Sequence, residues 1–232
     1  MENIYTRTEG MLGKGGILAL RASRVLVVGV GGVGGFAVEA LVRAGVGSIT
    51  LVDSDEVAPS NLNRQIIATN STIGIPKVEA ARARILDISP DCTVTTHNMF
   101  YSADTAPVLN LSDYDYILDC IDSVSSKVLL IKRAVELGTP IISAMGAGNK
   151  LDPTRFRVTD ISKTTVDPLA KAVRVELRRL GINHLKVVFS DEPPVRVGER
   201  TPMSVSFVPS VMGLIMAGEV IKAIAGEVDK SV

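Results

Sequence analysis

Up to Gly148 the apolar positions change period again and again, and that change is the first structural signal. RVLVVGVGG opens on an unbroken apolar run, Val25 to Val28, as a strand buried on both faces does, and runs into a glycine turn. VGGFAVEALVRAGV, Val33 to Val46, carries apolar residues at helical spacing and has a glycine at its end. SITLVD, Ser48 to Asp53, predicts a second strand, and IPKVEAARARILDIS a helix with Pro76 near its first turn. CTVTTHNMF alternates like a strand, YDYILDCID (Tyr114 to Asp122) predicts a fourth, Ser125 to Leu137 a helix, and TPIISAM another strand. Strand and helix in alternation predict an α/β, Rossmann-like architecture: a mostly parallel sheet with helices on both faces.

Past Gly148 the rhythm shifts. FRVTD and LKVVFS predict strands around a basic helix, DPLAKAVRVELRRLG; a polar loop, DEPPVRVGERTP, leads to a further expected strand, MSVSFV, and a terminal helix. The expectation is a single domain over 1–232, with a nucleotide-binding half, 1–150, and a strand-rich C-terminal substrate half, 151–232. The most apolar run, Val208 to Ala225, is broken by Pro209, Glu219 and Lys222, which favours a buried terminal helix over a membrane segment.

Composition narrows the chemistry. The 232 residues carry 25 basic and 25 acidic side chains, so a nucleic-acid partner needs a local basic patch. Two cysteines, Cys92 and Cys120, with no CxxC pair, exclude a cysteine-rich zinc site and argue against a disulfide framework. The polar start, MENIYTRTEG, does not read as a signal peptide, and a cytoplasmic protein without a membrane anchor is expected.

GVGGVGG sets Gly29, Gly31 and Gly34 in the G-x-G-x-x-G pattern, with Gly32 between, after a strand and opening a helix. Such a turn brings backbone N–H groups to phosphate oxygens at the positive end of a helix. Asp53, at the end of the second strand, is placed to accept hydrogen bonds from ribose hydroxyls. NAD and ATP satisfy these features equally. The stretch that follows, VDSDEVAPSNLNRQ, separates them. Arg64 and Lys77 have no use in hydride transfer, whereas cleaving ATP between its α and β phosphates builds negative charge that fixed cations stabilise. Asp122, ending the YDYILDCID strand, emerges at the same sheet edge and offers a hard oxygen for Mg2+. Taken singly each has a plainer account: a loop charge for Arg64, a solvated first-turn residue for Lys77, a helix N-cap for Asp122.

That ordered set resembles the ubiquitin-activating-like adenylyltransferases, of the ThiF, MoeB and HesA type. The matching segments are GVGGVGG, LVDSDEVAPSNLNRQ, IGIPKVEAA and LDCID. YTRTEGMLGKGG, ISAMGAGNKLDPTRFRVTDISKTTVDPLAK and KVVFSDE are similar to one branch, the tRNA threonylcarbamoyladenosine dehydratases, and extend the resemblance over nearly the full length. The resemblance implies ATP and Mg2+ as cofactors and a tRNA substrate whose N6-threonylcarbamoyladenosine, at position 37, is adenylylated on its threonyl carboxylate and cyclised. It implies nucleotide contacts from Gly29, Gly31, Gly32, Gly34, Asp53, Asp55, Asn61, Arg64, Lys77 and Asp122, with Asp122 on the metal side. Asp55 has a structural role as its alternative, and Asn63 is expected to do no more than shape the loop. Arg7, in YTRTEG, resembles an arginine that crosses a homodimer interface to the partner's ATP; an ordinary terminal charge is the equal alternative.

The chain departs from the pattern at Val187, where some dehydratases have cysteine, and it lacks the transfer cysteine and zinc ligands of sulfur-carrier enzymes. Activation of a ubiquitin-like sulfur carrier is therefore the second reading, a nucleotide-binding scaffold without catalysis a third, and a sulfur-relay protein a possible partner of the first. Cys120 reads as a small core residue. Lys171, Arg174 and Arg178 share a helical face, with Arg179 beside them and Lys163, Lys186, Arg196 and Arg200 in the same half. On these charges alone a solvated helix is the better account; the resemblance reverses that and makes them the candidate tRNA face.

Overall fold

The structure is a computed structural model that describes residues 3–195, 198 and 202–226. Its centre is one seven-stranded sheet. The strands are β1 (Arg24–Val28), β2 (Ser48–Asp53), β3 (Thr93–Asn98), β4 (Tyr116–Asp119), β5 (Ile141–Ala144), β6 (Phe156–Asp160) and β7 (Lys186–Ser190). Their order across the sheet is β3-β2-β1-β4-β5-β7-β6. All neighbours run parallel except β6, which closes one edge antiparallel to β7. The chain steps outward from β1 to β3, then returns to β1's other side with β4. This reversal opens a crevice at the carboxyl ends of β1 and β4, where open α/β sheets bind ligands.

Strand alternation sorts the core into two layers. Val25 and Val27 of β1 face a cluster with α2 (Gly34–Ala44), α3 (Lys77–Ile88), the end of α1 (Thr6–Ala22) and α6 (Phe207–Ala225). Leu26 and Val28 face the opposite layer, built on α4 (Val124–Leu137) and α5 (Pro168–Arg179).

Helix α6 is long and apolar enough to cross a membrane, with a mean hydropathy of 1.6 over its best window. Its place in the chain accounts for that composition. Val208, Met212, Met216, Ala217 and Val220 are fully buried, and Gly213 lets α6 lie directly on the Val33 carbonyl at the start of α2. A helix enclosed by α1, α2 and the sheet is apolar nearly all round for the same reason a spanning helix is.

Two expectations need correction. MSVSFV forms no strand, so the C-terminal half brings only β6 and β7 to the sheet. The backbone of this segment is held by side chains instead: Met203 N donates to Asn149 Oδ1, and Ser204 O accepts from Asn63 Nδ2. The second concerns α1, which the sequence pattern did not announce. Gly10, Gly13, Gly15 and Gly16 lower helix propensity across it, and Gly13 (φ 72°) breaks it into two helical pieces. Packing overrides propensity, because Gly16 allows close contact with Ala225 of α6.

Candidate functional site

The site begins where β1 ends. Gly29 takes φ 93°, and its N–H donates to Val52 O at 2.8 Å. A Cβ on Gly29 would lie 2.6 Å from Cys120 O, and one on Gly34 would overlap the Gly29 carbonyl. The protein itself therefore requires both glycines. Gly31 differs, since a Cβ there would meet nothing closer than Gln65 Nε2 at 3.7 Å. Gly32 lies against Pro209 and the aliphatic stem of Arg64, so the arginine runs along the turn.

Asp53, half-buried at the end of β2, ties the turn to its neighbour. Oδ2 accepts from Val30 N at 2.7 Å and Oδ1 from Asp55 N at 2.9 Å. Each oxygen retains a lone pair for a further donor. The segment after it folds back through a short 3-10 turn over Pro59–Asn61. Asn61 is buried and shapes that turn: its Oδ1 accepts from Ala58 N, while its carbonyl accepts from Arg64 N and Gln65 N.

The turn delivers Arg64 to the glycine loop. Its Nη1 donates to Ser60 O at 2.9 Å and Asn63 Oδ1 at 2.8 Å, with no carboxylate partner among the described residues. Lys77 is the first residue of α3 and is buried, not solvated, with its Nζ 2.7 Å from Asp55 Oδ2. Asp55 is thus the ion-pair partner of Lys77. Asp122 is exposed, makes no hydrogen bond among the described residues, and does not cap α4; Ser123 occupies that position. The solvated-lysine account of Lys77 and the N-cap account of Asp122 thus lose their footing, while Arg64 remains a half-exposed loop residue. What the edge presents is a backbone cradle, two cations and an unpaired carboxylate, a set suited to a polyphosphate with a metal ion.

Cys120 packs its Cβ under Gly34, and burial pushes its thiol up to about 12. Among the described residues no group of three or more His, Cys, Asp or Glu side chains gathers as a metal site.

Gln65 and the Asp119–Lys127 pair escaped the sequence reading, and Asn63 does more than shape its loop. Gln65 is buried beside Gly31, and its Oε1 has no hydrogen-bond partner among the described residues. Asn63 joins Arg64 to Ser204, linking the nucleotide segment to the approach of α6. Asp119 and Lys127 form an ion pair with no solvent exposure just under the edge. A signal for that pair was present: 127, 130, 131 and 134 follow i, i+3, i+4, i+7, placing a lysine on the buried face of α4.

Other expected residues lie elsewhere. Tyr5 packs on Gly45, at the end of α2 opposite the glycine turn, so the nearby exposed Arg7 is not brought to the glycine-turn site. On α5, Lys171, Arg178 and Arg179 are exposed, the last paired with Glu176. Arg174 is not part of that surface. Its guanidinium donates to the carbonyls of Ile161 and Thr164 and to Thr164 Oγ1, bracing the preceding loop. It flanks the buried stripe of Ala170, Val173 and Leu177, one helical step from the solvent face. Lys163 is exposed, Lys186 pairs with Glu219, and Arg196 and Arg200 lie outside the described residues.

Comparison with known proteins places the chain in a family. The ThiF family matches residues 5–232. The tRNA threonylcarbamoyladenosine dehydratase of Bacillus subtilis is 44% identical, across 97% of this chain and 96% of its own. The crystal structure of the Escherichia coli tRNA N6-threonylcarbamoyladenosine dehydratase, TcdA, in complex with AMP superposes with a TM-score of 0.89 at 34% identity, covering 94% of this chain and 92% of that one. The same E. coli protein has also been solved in complex with ATP. The Drosophila grimshawi adenylyltransferase and sulfurtransferase MOCS3 is 42% identical over 60% of this chain, which spans 30% of its length.

Proposed function

The chain belongs to the ThiF family, and from that premise we propose that it is an ATP-dependent tRNA threonylcarbamoyladenosine dehydratase. Its substrate is N6-threonylcarbamoyladenosine at tRNA position 37. The observation that carries the reading is the end-to-end match with a dehydratase of nearly the same length, at 44% identity. The sulfur-carrier alternative rests on a relative of which this chain spans 30%.

The reaction proceeds in two displacements. An oxygen of the threonyl carboxylate attacks the α-phosphorus of ATP, the bond to the bridging oxygen breaks, and pyrophosphate leaves. The carbamoyl group of the same nucleoside then attacks the acyl carbon, loses a proton, and expels AMP. The lost water is carried away in the AMP and pyrophosphate. Because the attack is internal, orientation supplies effective concentration and no enzyme nucleophile is needed. That accords with a Cys120 thiol pushed up to about 12 by burial.

Each residue has a role in this scheme. Backbone N–H groups of the turn through Gly29, Gly31, Gly32 and Gly34 receive the phosphates at the head of α2. Asp53 takes the ribose hydroxyls on its remaining lone pairs, while Asn61 holds the loop. Arg64 and Lys77 stabilise charge on the departing pyrophosphate, and Asp55 keeps Lys77 in place beforehand. Asp122, exposed and without a protein partner, fits Mg2+, which takes most of its ligands from phosphates and water. When bound, that ion neutralises phosphate charge.

The finer reading treats the chain as one domain, with its nucleotide half at 1–150 and its substrate half at 151–232. It acts as a cytoplasmic homodimer in which Arg7 serves the partner's site. Lys171, Arg178 and Arg179 contact tRNA phosphates, and a sulfur-relay protein is a candidate partner. Sedimentation at working concentration tests the dimer: a fully active monomer removes it.

The deciding experiment is mass analysis of tRNA nucleosides after incubation with enzyme and Mg-ATP. Loss of one water from threonylcarbamoyladenosine, with pyrophosphate released in step, is the expected result. Pyrophosphate exchange driven by a Gly-Gly-ended carrier protein, with none driven by tRNA, overturns the reading.

A further inference from the structure

Asp119, the last residue of β4, and Lys127, near the start of α4, have no solvent exposure. Lys127 Nζ lies 2.8 Å from Asp119 Oδ2, 3.2 Å from Ser143 Oγ and 2.9 Å from Ala144 O, so each ammonium proton has an acceptor. Ser143 Oγ donates to Asp119 Oδ2 as well. Register explains the meeting. Asp119 and Ser143 are direct neighbours on β4 and β5, and both point to the face that α4 covers.

Stability alone is a poor reason to keep such a pair. Removing two charges from water opposes their attraction, and apolar side chains of like volume often serve as well. What the pair does structurally is more specific. Asp119 Oδ1 accepts from Ile121 N at 3.1 Å, fixing the peptide just before Asp122. Cys120 O of the same turn presses on Gly29, so the turn is also a wall of the glycine loop. Asp122 itself has no side-chain partner among the described residues. Its direction therefore comes from the backbone of this turn, and that backbone is tied down by Asp119, which Lys127 in turn holds.

We propose that the buried Asp119–Lys127 pair is a positioning device for the nucleotide site: it fixes the Ile121 amide and so aims the Asp122 carboxylate at metal-bound ATP. Neither residue touches substrate. The proposal rests on the reading of Asp122 as the metal-side carboxylate, and the experiment separates the two.

The test is calorimetric titration of ATP into the intact enzyme with Mg2+ and with EDTA, reading the ratio of the two dissociation constants. In Asp119→Leu with Lys127→Met, an apolar pair without an acceptor for Ile121 N, the gain in affinity from Mg2+ is expected to fall about tenfold or more, the scale of residues behind a metal ligand. Binding in EDTA should stay near wild type. Asp119→Asn with Lys127→Met keeps an oxygen for the amide but loses the hold of Lys127 on it, and should lose less of the gain than the apolar pair. Should the apolar pair not fold, Ser143→Ala removes one hold on Asp119 and is expected to reduce the gain about threefold. A folded variant lacking the acceptor, or Ser143→Ala in its place, with a wild-type ratio overturns the proposal, as does an Asn variant that loses as much of the gain as the apolar pair. Asp122→Asn is run beside them. If it binds Mg-ATP like wild type, the reading of Asp122 fails and the proposal with it. If it is defective while the pair variants are not, only the positioning role fails.

Discussion

Lys77 Nζ and Asp55 Oδ2 are 2.7 Å apart, yet the lysine side chain is 7% exposed and the aspartate 66%. Lys77 also begins α3, where the helix dipole disfavours a cation. Its charge needs an anion, and Asp55 supplies one from the solvent side. A phosphate approaching Lys77 must displace that carboxylate or share the ammonium with it. Asp55→Asn is therefore expected to tighten ATP binding about threefold, since it removes a competing negative charge. The same change should lower stability by more than the roughly 1 kcal/mol of an exposed pair, because it leaves a buried ammonium without its anion. Calorimetric titration of ATP checks the sign; weaker binding would mean that Asp55 contacts the nucleotide directly.

The glycine turn separates folding from binding. A Cβ at Gly34 overlaps the Gly29 carbonyl, whereas one at Gly31 has only a distant neighbour, Gln65 Nε2 at 3.7 Å. Gly34→Ala should therefore fail to fold or lose several kcal/mol, on the order of 3 or more, because backbone has to move. Gly31→Ala should keep its melting temperature within a few degrees and lose ATP affinity, since the new methyl occupies the approach of the phosphates. A Gly31→Ala enzyme that binds ATP normally would place the phosphates elsewhere.

Arg64 makes only neutral contacts, to Ser60 O and Asn63 Oδ1. Its truncation leaves no buried charge unpaired, so Arg64→Ala should fold normally. If its proposed action on the leaving pyrophosphate holds, removing this cation should lower kcat by about 100- to 1,000-fold. Lys77→Ala should do the same with some loss of stability, because its stem is buried. Single-turnover kinetics with modified tRNA measures both, and wild-type turnover in either variant removes that residue from the phosphate site.

With its thiol pushed up to about 12 by burial, Cys120 exists as thiolate in only about one molecule in 10,000 at pH 8. The sign is simple: a raised thiol pKa means the neutral form dominates until pH exceeds it. Alkylation of native enzyme at pH 8 should leave Cys120 unmodified, and Cys120→Ala should keep dehydratase turnover. Rapid labelling at that site, or loss of turnover in a folded Cys120→Ala, would restore a thiol-dependent mechanism.

The nucleotide edge was legible because its parts are local. A strand, a glycine turn and a helix each have their own period, and Asp53, Arg64, Lys77 and Asp122 follow at fixed distances from strand ends. Pairings across the chain were not. Asp119 and Lys127 meet only after β4 and α4 pack, and Asn63 and Asn149 hold Met203 and Ser204 from positions far away in sequence. MSVSFV alternates like a strand, yet those amides take up Met203 N and Ser204 O, its last two residues enter α6, and no strand of the sheet pairs with it. For α1, scattered glycines hid a helix that exists because Gly16 fits against α6.

On the basic helix α5 one charge pattern divides into two structural settings. Arg174 donates to Ile161 O, Thr164 O and Thr164 Oγ1, whereas Lys171 and Arg178 reach solvent. Arg174→Ala strips a charged donor from three loop oxygens and should cost about 1.5–3 kcal/mol of stability. Its effect on tRNA affinity should be small once the protein is folded. Lys171→Glu with Arg178→Glu should do the reverse. The melting temperature should barely move, while tRNA binding weakens and depends less on salt, because fewer counterions are released when fewer phosphates are neutralised. Thermal melts and tRNA titrations at two salt concentrations, run on both variants, separate the roles. An unchanged salt slope in the double charge reversal would move the tRNA face off α5.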